Sequence, residues 1–198
     1  MKRFITISLL TVMSLPMMAC AWPGTHNYYL FSPYDSRDDF RYRTERLTEE
    51  NWKAYLGSNK EYFWFDADEV VKAAQKKNDA LMVSYVRNLQ KYLECANQKR
   101  QEQWDYPTKE ELAQRTQTLR AVRTYAQGKL KSRLRSQHAL LMMRCNMMLG
   151  LHRENISFWE QTGSQFIETV YRDMMQNIYA GALLKTGRDA EAGQLFAE

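Results

Sequence analysis

A chain of 198 residues with 44% hydrophobic and 26% charged side chains suits one domain or a short stack of repeats, and this composition excludes wholesale disorder. Its 8 glycines and 4 prolines are too few for a sandwich or barrel rich in tight turns, so helices joined by short connections are expected. The formal charge of +5 includes Lys2 and Arg3; without them the excess is mild and implies no polyanionic partner.

Residues 1–21 read as a signal peptide. Lys2 and Arg3 give the positive start, residues 4–18 carry no charge, and Pro16 precedes the small residues Ala19 and Ala21. The run is shorter than the about 20 apolar residues of a membrane span. Two processing routes are open: cleavage after the A-x-A pattern, leaving Trp22 first, or lipidation of Cys20, since Met17-Met18-Ala19-Cys20 looks like a loose bacterial lipobox. Both predict an exported protein of the bacterial periplasm or outer membrane, lipid-anchored if Cys20 is modified.

Residues 22–47 are expected to form an irregular aromatic-rich arm, because no period of 2 or 3.6 emerges. Packing over the first helices would bury Tyr28, Tyr29 and Phe31; exposure of Trp22, Tyr28, Tyr29 and Tyr34 would instead give a platform on which sugar rings stack. Asp35, Asp38 and Asp39 lack the donor alternation and closing glutamate of a calcium loop and read as a charged turn.

From Thr48 the pattern is helical. Thr48 is placed as the cap of a helix carrying Trp52, Tyr55 and Leu56 and ended by Gly57. Residues 62–65 read as a buried connection. Asp66 with Glu69 forms a capping box ahead of Val70, Val71 and Ala74, and Asn78-Asp79 breaks that helix. A wide stripe follows: Leu81, Tyr85, Val86, Leu89, Tyr92, Leu93 and Ala96. Residues 99–107 form a polar linker. Thr108 with Glu111 makes a second capping box before Leu112, Leu119, Val122, Tyr125 and Ala126. A helix over about 130–149 would turn Leu134, His138, Leu141, Met142, Cys145, Met148 and Leu149 inward. A short one over about 155–161 carries Ile156 and Trp159. Ser164 is the expected cap of the last long helix, which holds Phe166, Ile167, Val170, Tyr171, Met174, Ile178, Ala182 and Leu183.

The stretch QNIYAGALLKTGRDAEAGQLF, residues 176–196, places Ala180 before the turn glycine Gly187 and Ala192 after it, with Tyr179, Leu183 and Phe196 as the larger apolar positions. Small residues on facing helices let the axes approach to about 8–10 Å. The stretch resembles the middle of a tetratricopeptide repeat, without that family's tryptophan-rich first turn and later proline. The resemblance implies an all-α fold of stacked antiparallel helix pairs, a degenerate tetratricopeptide-like solenoid over residues 48–198. It also implies a concave face that binds a partner, with Gln176 and Tyr179 as candidate contacts. Leu195 and Phe196 close to the end suggest that this end docks on a partner or that the natural chain continues. The chain as a whole resembles the opening of larger uncharacterised exported bacterial envelope proteins.

Little points to chemistry. His138 on an apolar face reads as a hydrogen-bonded core histidine and His152 as a solvated turn residue, while no HExxH, CxxC pair, nucleophile elbow or phosphate loop appears. No metal, cofactor or enzymatic activity is expected; an envelope enzyme would need a pocket joining His138 or His152 to a carboxylate. Cys95 and Cys145 read as small buried thiols, although an oxidising compartment would permit a disulfide. The basic run from Lys109 to Arg135 reads as a solvated face or a contact for acidic envelope material, and nucleic acid is not an expected partner. The function expected is an exported scaffold that binds a protein or peptide in the cell envelope; the alternative is a glycan-binding surface lipoprotein.

Overall fold

The helices that follow Asp66, Asp79 and Thr108 begin at side-chain caps written in the sequence. The computed structural model describes residues 40–59, 65–97, 106–167 and 169–197. The signal, Cys20, the aromatic platform and most of residues 22–47, 62–65 and 99–107 lie outside them. Among the described residues there are eight α-helices and no strand: α1 (Phe40–Leu56), α2 (Ala67–Lys76), α3 (Ala80–Ala96), α4 (Lys109–Gly128), α5 (Arg135–Met148), α6 (His152–Thr162), α7 (Thr169–Lys185) and α8 (Asp189–Ala197). A single 3-10 turn, Gly163–Gln165, lies between α6 and α7.

Asp66 caps α2, its Oδ1 accepting from the amides of Asp68 and Glu69 at 2.8 and 3.2 Å. Asn78, at φ 54°, closes α2 in the left-handed region that asparagine tolerates, and Asp79 at once caps α3 by accepting from the Met82 amide at 3.0 Å. The Thr108–Glu111 capping box is complete: Glu111 N–H donates to Thr108 Oγ1 at 3.1 Å and Thr108 N–H donates to Glu111 Oε2 at 2.7 Å.

Four expectations are corrected. Helix α1 begins at Phe40, so Thr48 lies inside it and the end of the expected arm is helical. Helix α5 begins at Arg135, after a turn, not near Leu130. Ser164 sits in the 3-10 turn, and Phe166 precedes α7 in an extended conformation, buried at 2% exposure, while Ile167 is exposed at 84%. Leu112 is exposed as well, at 43%.

From α2 onward each helix packs on the next, and alternate helices also meet, α3 on α5 and α5 on α7. That is the packing of helix pairs stacked in chain order. Helix α1 departs from it, because it also touches α7. The main core joins Val70, Val86, Val122, Leu141, Met143 and Met175; a smaller one gathers Ile156, Ala182, Leu183 and Ala192 under the α7–α8 turn. Ala180 and Ala192 are buried, and Gly187 adopts φ 80° at the turn, where a side chain would be strained.

Helix α5 is buried nearly all round, so its polar groups find partners inside. His138 is fully buried; the carbonyl of Leu134, 2.7 Å from Nδ1, can only accept, which places the ring proton there. Its Nε2 is then free to accept from Tyr125 OH at 3.3 Å, and Ser84 Oγ donates to that hydroxyl at 2.8 Å. His138 is thus the core histidine expected. Cys95 and Cys145 are free, buried thiols, and burial first, then the nearby Cys95, pushes Cys145 up to about 12.

Burial holds the His138 pKa below its ordinary 6.5. The neutral ring is favoured in the fold, so its stabilisation is complete above that value and is lost as the pH falls through it toward the lower folded value. A His138→Gln variant should therefore lose more stability relative to the parent at pH 7.5 than at pH 5, measured by urea unfolding. An equal gap at the two pH values would contradict this assignment.

Candidate functional site

A concavity with converging polar groups lies where α6 faces the α7–α8 turn, a cleft of about 800 Å3. One wall is a single face of α6, with His152, Ile156 and Glu160 at four-residue spacing and Arg153 and Ser157 beside them. The other wall is Lys185, Thr186 and Arg188, and Gly150 and Leu151 close the end. Ile156 joins this wall to the small alanine-rich core beneath it.

Arg188 organises the charges. It donates to Glu160 Oε1 at 3.0 Å and, in a two-pronged contact, to Glu191 at 2.7 and 2.6 Å. These bonds hold the Glu191 carboxyl below the usual carboxylate range despite its partial desolvation. Tyr179 OH also donates to Glu160 Oε1, at 3.4 Å, and burial, then the Glu160 charge, raises the phenol's pKa. Glu154 pairs with Arg123. Both carboxylates of the cleft are thereby engaged by arginines, while Arg153 and Lys185 add positive charge to its lining.

The cleft is braced from behind by a polar chain that no periodicity announced. Arg123 Nε donates to Asn146 Oδ1 at 2.6 Å, Asn146 Nδ2 to Asn155 Oδ1 at 2.9 Å, and Asn155 Nδ2 to the Met143 carbonyl at 2.9 Å. Asn146 and Asn155 are buried at 1% and 0% exposure, so this chain ties α4, α5 and α6 together away from water. No family model, curated protein or solved structure matches this chain.

Of the residues singled out from sequence, Gln176 and Tyr179 both lie half-buried on α7. Tyr179 stacks on Trp159 of α6, with ring centroids 6.0 Å apart and planes at 29°. Its ring therefore contributes to the joint between consecutive helix pairs, and its hydroxyl reaches the cleft through Glu160. His152 differs from expectation. It is the first residue of α6, half-buried, and its Nδ1 is shut off from solvent without a hydrogen-bond partner. The loop reading failed because helix α6 starts earlier than its apolar residues suggest.

The basic run is partly consumed inside the molecule: Arg123 as above, Arg133 on Asp79, and Arg135 on Gln165 and over the Phe166 ring at 4.8 Å. The indole of Trp159 also lies against Gly163, where an added Cβ would come within 2.8 Å of it.

Replacing Asn155 by alanine leaves the buried Asn146 Nδ2 without its partner and removes a second bond to the Met143 carbonyl, which keeps its place in the helix ladder; one buried unpaired group costs about 1–3 kcal/mol. Asn155→Ala should lower the unfolding free energy by about 1–3 kcal/mol in urea titrations, whereas Ser157→Ala, on the cleft surface, should change it by less than about 0.5 kcal/mol.

Proposed function

We propose that this chain is an exported helical-repeat scaffold that binds a protein or peptide partner in the bacterial cell envelope. The observation that carries the reading is the order of packing: each helix from α2 onward on the next, with α3, α5 and α7 in one continuous row. A row of this kind offers a long surface instead of a single deep pocket, which suits an extended macromolecular ligand. The last pair adds support, since Ala180, Leu183 and Ala192 are buried around Gly187 at the positions where a tetratricopeptide repeat is small or apolar. The charged N-terminal start and uncharged run of residues 1–21 support export, and Cys20 is the residue that would carry a lipid.

In this reading the cleft between α6 and the α7–α8 turn is one contact surface. Its carboxylates are held by arginines, so acidic side chains of the partner would meet Arg153 and Lys185 at its edge. Charges at a rim act mainly on association rate and salt sensitivity.

The test is affinity capture of the tagged full chain from its native envelope, with mass spectrometry of the bound proteins and of residue Cys20. A partner should be enriched with the parent protein and recovered several-fold less with Arg153→Glu/Lys185→Glu. Enrichment of nothing over background would overturn the scaffold reading, and saturable quenching of tryptophan fluorescence by polysaccharide would put the glycan-binding one in its place.

A further inference from the structure

Helix α1 differs from its neighbours in how it is held. Every helix from α2 to α8 contributes at least one buried apolar side chain to a core, whereas among the described side chains of α1, residues 46–56, none is buried. The half-buried positions Thr48, Trp52, Tyr55 and Leu56 share one face, while Arg46, Glu50 and Ala54 are exposed, or nearly so, on the other. Trp52, Tyr55 and Leu56 rest on the outside of the main core, and Trp52 meets Phe65 at 5.0 Å.

The C-terminal end of α1 is fastened at the joint between α2 and α3. Tyr55 OH donates to Asp79 Oδ2 at 3.0 Å, Lys77 Nζ donates to the Tyr55 carbonyl, and the same ammonium lies 4.3 Å from the Tyr55 ring centre. Asp79 is fixed in turn by the Met82 amide and by Arg133. From this fastening α1 also reaches α7, at the far end of the stacked row. A helix of 17 residues spans about 25 Å, enough to bridge two interaxial spacings of 8–10 Å.

We infer that α1 is a releasable strap joining the first and last parts of the stack, and that the surface it covers takes an amphipathic helix of a partner with the same pattern, an aromatic–leucine face backed by mixed charges. The strap itself is argued from geometry alone; the partner rests on the scaffold reading. Elements with few buried contacts open at low free energy while the rest of the fold persists. Release uncovers apolar surface that α1 now shields, which is the surface another helix of like pattern would cover.

The experiment has two arms on the full chain. In hydrogen–deuterium exchange, the amides of residues 46–56 should exchange at least about tenfold faster than those of α3 and α5, and Tyr55→Phe should speed them about two- to tenfold further without changing α3 or α5. In the second arm, a fluorescent peptide of residues 40–59 should bind Tyr55→Phe at least threefold more tightly than the parent. Trp52→Ala, which loosens the same strap from its apolar side, should behave alike. Exchange of α1 as slow as that of α3 would overturn the strap. Fast exchange without peptide binding to either variant would overturn the docking surface, leaving capture at the cleft to decide the scaffold reading separately.

Discussion

The burial of α5 on nearly every side is the constraint on which the rest of the stack depends. It touches α3, α4, α6 and α7, and Ala139, Leu140, Leu141, Met142, Met143 and Cys145 are all removed from water. A helix in that position cannot send its inward-facing polar side chains to solvent. His138 and Asn146 must be satisfied from within, and the partners they take, Tyr125 and Leu134 for one, Arg123 and Asn155 for the other, lock the neighbouring helices in register. A buried polar chain of this kind favours one arrangement over its alternatives, because a slipped helix leaves several groups unpaired at once.

The same architecture divides labour along the chain. The middle, from α2 to α5, is held by a large apolar core that also takes in Met175 of α7. The end, from α6 to α8, adds a small alanine-lined core, the stacked pair Trp159 and Tyr179, and the arginine at the cleft. Surface ion pairs contribute little to stability by themselves. Their effect at Arg188 is to hold Glu160 and Glu191 in place, so that the charge presented by the cleft is set by Arg153 and Lys185.

Where the backbone signal is local, the sequence was readable. Asp66 and Thr108 cap the helices they precede, Asn78-Asp79 ends α2, and the small residues around Gly187 are buried as their spacing implies. Reading failed where tertiary contact decides. The charged opening of α1 shows no apolar period, so its start at Phe40 was invisible. Ser164 has the chemistry of a cap, but Phe166 is drawn into the core and delays the next helix to Thr169. Asn146 and Asn155 looked like ordinary polar residues because a stripe of leucine and methionine says nothing about which amide lies beneath it. The cleft was legible only in part: Tyr179 was noticed, whereas the α6 face opposite Arg188 joins residues that are remote from it in the chain.

The indole of Trp159 pressed on Gly163 has a consequence for how this molecule can change over time. The corner at which the chain leaves α6 is set by the absence of one carbon atom, and an alanine there would meet an aromatic plate instead of open space. An enlargement there forces the Trp159 ring to shift, and with it the stacking on Tyr179 that joins α6 to α7. Variation should be tolerated along the outer rim of the cleft and punished at this glycine, which lines no part of it.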